Sequence, residues 1–182
     1  GELIRAEIKV PGQHQVTNTL AAVRVAKLLG LDMEQMIRGI ASVVPIAGRN
    51  RIIQEGNFTL IDDCYNANPV SMKAALDLLS LADTRKVAIL GDMFELGENS
   101  DMLHSGVGCY AKGKTDLLIC IGENAKHIYD GAKEAGVAHI YHFTDKESFL
   151  REKENLLQAG DTILLKASHG MAFETLISQL LQ

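Results

Sequence analysis

A chain of 182 residues, 47% hydrophobic and 23% charged, is long enough for one sizeable core, or for one domain plus a fragment of another. A formal net charge of -5, with no cluster of lysine or arginine, excludes the electrostatic footprint of a nucleic-acid binder. Apolar runs such as DLLICIG are strand-length, far short of the roughly 20 residues that span a bilayer, so no membrane role is expected. The three cysteines, Cys64, Cys109 and Cys120, are odd in number and form no C-x-x-C pair. That usage argues against structural zinc and a disulfide framework and for a reducing cytoplasm.

The opening GELIRAEIKVPG alternates like a strand over residues 3–9 and carries no visible signal peptide. Two helical patterns follow, at 15–29 and 32–41, and then the loop VVPIAGR. Helices in direct succession do not continue a βαβ alternation, and PIAG has the composition of a linker. A domain boundary is therefore expected near Gly48, dividing 1–48 from 49–182. One strand and two helices are too little for a comfortable core, so the opening segment reads as the tail of a larger domain.

Beyond residue 57, short apolar runs alternate with helical patterns. The strands are expected at 58–62, 86–91, 116–122, 139–143 and 161–166. The helices are expected at 69–82, 100–112, 124–135, 146–157 and 171–181. Continuous apolar strands separated by helices predict a mostly parallel sheet covered on both faces, a Rossmann-like doubly wound α/β domain.

In open parallel sheets, ligands bind beyond the carboxyl ends of the strands. After the 58–62 strand come Asp63, Tyr65, Asn66 and Asn68, with Pro69 at the first helical position and Asn68 as the expected cap. Asp92 follows the next strand, with His104 one helical turn beyond Ser100; Ser168 and His169 follow the last strand. A helix N-terminus favours anions, but Asp62 and Asp63 would repel a phosphate. They suit ribose hydroxyls or a cation, or else a solvated turn in which an aspartate caps the helix.

Two other patterns are set aside. GCYAKGKT (108–115) fits the phosphate-loop spacing, but a helix precedes it and a strand follows, the reverse of what cradling a phosphate needs. In HIYH (139–142) a spacing of three on a strand sends the two imidazoles to opposite faces, which no single metal ion bridges easily.

DDCYNANPVSMKAAL, AILGDMFELGENSDMLHSGVG and GQHQVTNTLAA…GR together resemble the Mur ligase family, and the resemblance covers essentially the whole chain. It implies an ATP-dependent cytoplasmic ligase of peptidoglycan synthesis, a monomer, that adds D-alanyl-D-alanine to UDP-N-acetylmuramoyl-tripeptide through an acyl phosphate. This chain would then supply the end of the central ATPase domain (1–48) and the C-terminal Rossmann-like domain (49–182). The phosphate loop and the Mg2+ ligands belong upstream, and no metal ligand is expected here.

By the same resemblance, Asn18 contacts adenine with His14 nearby, Arg49 reaches the nucleotide phosphates, and Asp63 binds ribose with Asn66 beside it. Tyr65, Asn68, Asp92, Lys166 and Ser168 fall on the dipeptide side, Asp92 orienting its ammonium and His104 acting as a candidate base. Gln15, Thr19, Ala167 and His169 depart from the family's motifs. A non-catalytic nucleotide- or peptide-binding module is the alternative, as is a ligase of the folylpolyglutamate synthase kind, which YNANP and GDMFELG disfavour.

Overall fold

The structure, a computed structural model, describes residues 5–181. Two helices, α1 (Gln13–Leu28) and α2 (Met33–Ala41), precede a six-stranded sheet. The strands are β1 (Arg51–Glu55), β2 (Phe58–Asp62), β3 (Lys86–Gly91), β4 (Leu117–Ile121), β5 (Ile140–Phe143) and β6 (Thr162–Lys166). Between and after them run α3 (Pro69–Leu79), α4 (Ser100–Tyr110), α5 (Ala125–Ala135), α6 (Lys146–Leu156) and α7 (Glu174–Leu180).

The strand order is β1-β2-β6-β3-β4-β5, parallel throughout except for the antiparallel β1. Alternate residues sort the core into two layers. Ile61, Ala88, Leu90, Leu118 and Cys120 face α3, α4 and α5, whereas Leu60, Val87, Ile89, Ile119 and Leu165 face α6 and α7. Both faces of every central strand are covered, which is why these strands read as unbroken apolar runs. The expected doubly wound α/β sheet is present.

Two expectations are corrected. Residues 5–9 form no strand, and residues 3 and 4 lie outside the described residues. An alternating segment becomes a strand only against a partner, and none lies beside this one among the described residues. Conversely, β1 was not anticipated. RIIQE pairs with β2 through the two-residue turn Gly56-Asn57, with Glu55 opposite Phe58. Gly56 has φ +61, the left-handed first position that a type II′ hairpin turn reserves for glycine. The final helix is also shorter than expected, because a single 3-10 turn at His169–Met171 intervenes before α7.

The phosphate-loop look-alike is spent on packing. A Cβ at Gly108 would lie 1.9 Å from the Ile128 carbonyl oxygen, and one at Gly131 would lie 2.2 Å from that of Ser105. These two glycines let α4 and α5 touch backbone to backbone. Lys114 meets Asp77 at 2.6 Å, so the lysine of the pattern holds α3 rather than a phosphate.

Gly108→Ala should therefore cost about 3 kcal/mol or more in urea unfolding, the overpacking penalty where only backbone can yield. Gly106→Ala, in the same helix with open space around it, should instead stabilise by roughly 0.5–1 kcal/mol.

Candidate functional site

The helices after β2 and β3 lie on one face of the sheet, while α7, which follows β6 between them, lies on the other. Chain paths that part on either side of the sheet open a crevice at the carboxyl ends of these three strands. Asp62, Asp63, Lys166, Ser168 and Asp92 all emerge there. The shared rim expected for Asp63 and Asp92 is the one the topology produces.

Each polar group on this rim has a traceable partner. Asp62 accepts from the Gly48 amide at 2.8 Å and from the Cys64 amide at 3.4 Å. Asp63 accepts the Asn50 amide on Oδ1 at 3.2 Å and Lys166 Nζ on Oδ2 at 2.5 Å. Lys166 is buried, 2% exposed in its side chain, and also reaches the Asn66 carbonyl at 2.8 Å and that of Asp63 at 3.4 Å. Two adjacent carboxylates are thus neutralised by one ammonium and three amide dipoles. Beneath them, burial and then the Asp62 carboxylate push the Cys64 thiol up, so it stays protonated at any physiological pH.

Against this rim, α1 closes a cleft of about 820 Å3. Its lining brings together His14, Asn18, Arg49, Asp63, Tyr65, Asn66, Asn68 and Lys166, most of the residues singled out from the sequence. Gly12, at φ +112, makes room for the His14 ring, since a Cβ there would lie 2.6 Å from it. His14 Nε2 meets the Asn50 amide nitrogen at 3.1 Å and that of Gln15 at 3.2 Å. The Arg49 guanidinium lies over the Tyr65 ring, 4.1 Å from its centroid, and His169 lies beside that ring at 5.8 Å. Asn68 caps α3 by accepting from Ser71 at 2.9 Å, as its position before Pro69 predicts.

Four residues expected at the dipeptide do other work. His104 is fully buried; Nδ1 meets the Ser100 carbonyl at 2.8 Å and Nε2 accepts the Met93 amide at 2.9 Å. With both nitrogens engaged by backbone, it has no lone pair to take a proton from a substrate. The Asp92 carboxylate accepts the Ala125 amide at 2.7 Å, at the first turn of α5, and does not line the cleft. Ser168 Oγ accepts the Phe94 amide at 2.8 Å, while its own amide donates to the Asp92 carbonyl at 3.0 Å. Lys166 has three donors and three protein acceptors, leaving none for a substrate carboxylate.

Asn50 is the cleft residue that sequence reasoning passed over. It follows Arg49 with φ +49, a left-handed conformation that asparagine tolerates better than most residues. Its type, directly after a glycine-arginine pair in an otherwise apolar loop, was the available signal.

The sequence profile of the Mur ligase, glutamate ligase domain matches residues 48–169. The chain belongs to the Mur ligase family. Among curated Mur ligases, UDP-N-acetylmuramoyl-tripeptide--D-alanyl-D-alanine ligase of Synechocystis sp. is 36% identical over 179 residues, covering 96% of this chain and 38% of that protein. The crystal structure of MurF from Acinetobacter baumannii superposes with a TM-score of 0.88 at 30% identity, covering 97% of this chain and 39% of that one. MurF from Thermotoga maritima, solved in complex with ADP, shares the fold with a TM-score of 0.80 at 24% identity, covering 94% of this chain and 38% of that one. The present Mur ligase chain spans 37% to 39% of the length of curated relatives it matches.

Replacing Lys166 with Met in this Mur ligase chain should cost about 3–5 kcal/mol in denaturant unfolding, because Asp63 is left charged and buried without a counter-ion. Adding Asp63→Asn should recover much of that loss. Thiol titration should find one reactive cysteine in the native chain, the exposed Cys109, and all three after unfolding, since Cys64 and Cys120 are buried.

Proposed function

We propose that this chain is part of an ATP-dependent ligase that joins D-alanyl-D-alanine to UDP-N-acetylmuramoyl-tripeptide in cytoplasmic peptidoglycan synthesis. We place the end of the central ATPase domain in residues 1–48 and the C-terminal domain in residues 49–182. The observation that carries the reading is the cleft, which His14, Asn18, Arg49, Asp63 and Asn66 line together within a fold of this family. Exposed apolar side chains on the opening segment, among them Leu20, Val25, Leu28, Val44 and Ile46, support a further packed layer over it.

The cleft volume suits a nucleoside, and its lining sets amides, a carboxylate and a guanidinium beside the apolar Pro69, Val70, Ala74 and Leu103. ATP, when bound, supplies the phosphoryl group that activates the tripeptide carboxylate as an acyl phosphate, which the dipeptide amine then attacks. This chain's residues position the nucleotide. Asp63, with its charge offset by Lys166, still has lone pairs for a ribose hydroxyl. Asn18 and His14 sit on the α1 side for the base, and Arg49 offers a planar fork of donors to phosphate oxygens. Tyr65, half exposed beneath that guanidinium, pre-orients it.

Tyr65 and Asn68 remain the dipeptide-facing candidates, while Lys166, His104, Asp92 and Ser168 support the rim from behind. Among the described residues there is no cluster of three or more His, Cys, Asp or Glu placed to hold a metal ion.

The complete ligase should convert ATP, D-alanyl-D-alanine and the UDP-linked tripeptide to ADP, phosphate and the UDP-linked pentapeptide. Arg49→Ala should lower kcat/KM for ATP about 10²-fold or more with little change in melting temperature, the scale expected for one lost donor to developing phosphoryl charge. The 182-residue chain by itself should show no ATP hydrolysis above background. Undiminished turnover in Arg49→Ala, or product made by this chain alone, would refute the proposal.

A further inference from the structure

Lys146 is the first residue of α6, where a positive charge opposes the dipole of its own helix. Its ammonium leaves that helix for the turn between β6 and α7. It donates to the Met171 carbonyl at 3.0 Å, to the Ala172 carbonyl at 2.9 Å and to Thr175 Oγ1 at 3.0 Å. All three of its donors are thus spent on one turn. That turn needs holding. Ala172 has φ +49, a left-handed conformation that strains a residue with a Cβ and persists where its surroundings fix it. Its carbonyl is the one that Lys146 and Thr175 Oγ1 share, at 2.9 and 2.7 Å. The amides of Met171 and Ala172 close the turn onto the carbonyls of Ser168 and His169, at 2.9 and 3.0 Å.

What the turn carries gives a reason for holding it. β6 lies between β2 and β3, so the turn stands in the middle of the crevice. On the β2 side His169 lies 5.8 Å from the Tyr65 ring, centroid to centroid, within the range of interacting aromatic pairs, and Tyr65 carries the Arg49 guanidinium. On the β3 side Gly170 lies against Phe94, since a Cβ there would fall 2.9 Å from that ring. Tyr65 and Phe94 are each about half exposed, so core packing alone does not fix them. Lys146 itself does not line the cleft.

We infer that Lys146 is a positioning residue for the nucleotide. By fixing the β6–α7 turn it keeps His169 against Tyr65, and Tyr65 beneath Arg49, so that the guanidinium meets phosphate oxygens in one orientation. This role rests on the nucleotide reading of the cleft. Lys146 touches neither nucleotide nor reacting atoms, and its whole effect passes through Arg49.

The test is a double-mutant cycle in the complete ligase: wild type, Lys146→Met, Arg49→Ala and the double variant, each with its kcat and KM for ATP and its melting temperature. Methionine keeps the aliphatic stem and removes the ammonium, and Met171 and Ala172 are only partly buried, so water can take up their carbonyls and the variant should fold. Lys146→Met should raise KM for ATP and lower kcat/KM about 3- to 10-fold, the scale of coupling between groups in one contact network. In the Arg49→Ala background the same change should alter kcat/KM for ATP by less than about 2-fold, because the group it aims is gone. Its effect on melting temperature should be the same in both backgrounds.

Wild-type kcat/KM for ATP in Lys146→Met would overturn the assignment, and with Arg49→Ala impaired the nucleotide reading would survive. An equal fall in both backgrounds, with KM unchanged, would mark Lys146 as merely structural and overturn it too. If Arg49→Ala itself turns over ATP as wild type does, the nucleotide reading fails and the role of Lys146 fails with it.

Discussion

The ion pair between Asp63 and Lys166 is the constraint on which the rim of the sheet depends. It joins the ends of two neighbouring parallel strands, β2 and β6, inside a layer where neither charge would be tolerated alone. Because Lys166 also bonds the Asn66 carbonyl, the pair sets the path of the chain from β2 into α3. Its neighbour Asp62 fixes the other approach by receiving the Gly48 amide, and the Tyr65 amide returns a bond to the Gly48 carbonyl at 2.9 Å. Residues 48–50 are clamped to the start of α3 and do not behave as a free linker. Arg49 is thereby held over Tyr65, where its guanidinium faces the cleft's contents with a defined orientation.

Two adjacent aspartates beside a helix start are explained by this arrangement. Carboxylates so placed would repel a phosphate if both stayed free, and neither does. Asp62 is consumed by backbone amides, and Asp63 carries a formal charge balanced by one lysine. What the cleft presents is a nearly neutral set of acceptors, with Arg49 as its cation. Such a wall suits the sugar and base of a nucleotide on one side and its phosphates toward the arginine on the other. The sequence argument that excluded phosphate from the aspartates and admitted ribose rests on the same electrostatics.

The doubly wound sheet was legible because every central strand is buried on both faces and so reads as an apolar run. The capping role of Asn68 was legible because proline follows it. What escaped was whatever depended on a partner distant in sequence. RIIQE was assigned no element, because its two adjacent isoleucines between polar residues give no alternation, and only the Gly-Asn turn betrayed a hairpin. Residues 5–9 alternate correctly but lack a neighbouring strand among the described residues. Alternation records which face is meant to be buried, not whether a partner is present.

The same reason separates cleft residues from rim residues. Asp92 and Ser168 were chosen for their chemistry and their place just beyond strand ends, and His104 for its chemistry one turn into α4. Strand ends also demand polar side chains to satisfy the amides of the loops that leave them. His104 meets the Met93 amide, Ser168 that of Phe94, and Asp92 that of Ala125. One edge of the sheet therefore needs polar residues twice over, once for ligand and once for its own backbone, and composition alone cannot tell the uses apart. The distinction lies in unspent capacity. His104 and Lys166 have none left, whereas Arg49 lies over the Tyr65 ring with its guanidinium in the lining of the cleft. A group that a fold leaves unsatisfied beside a cavity is better placed to meet a ligand than one that the fold has already used.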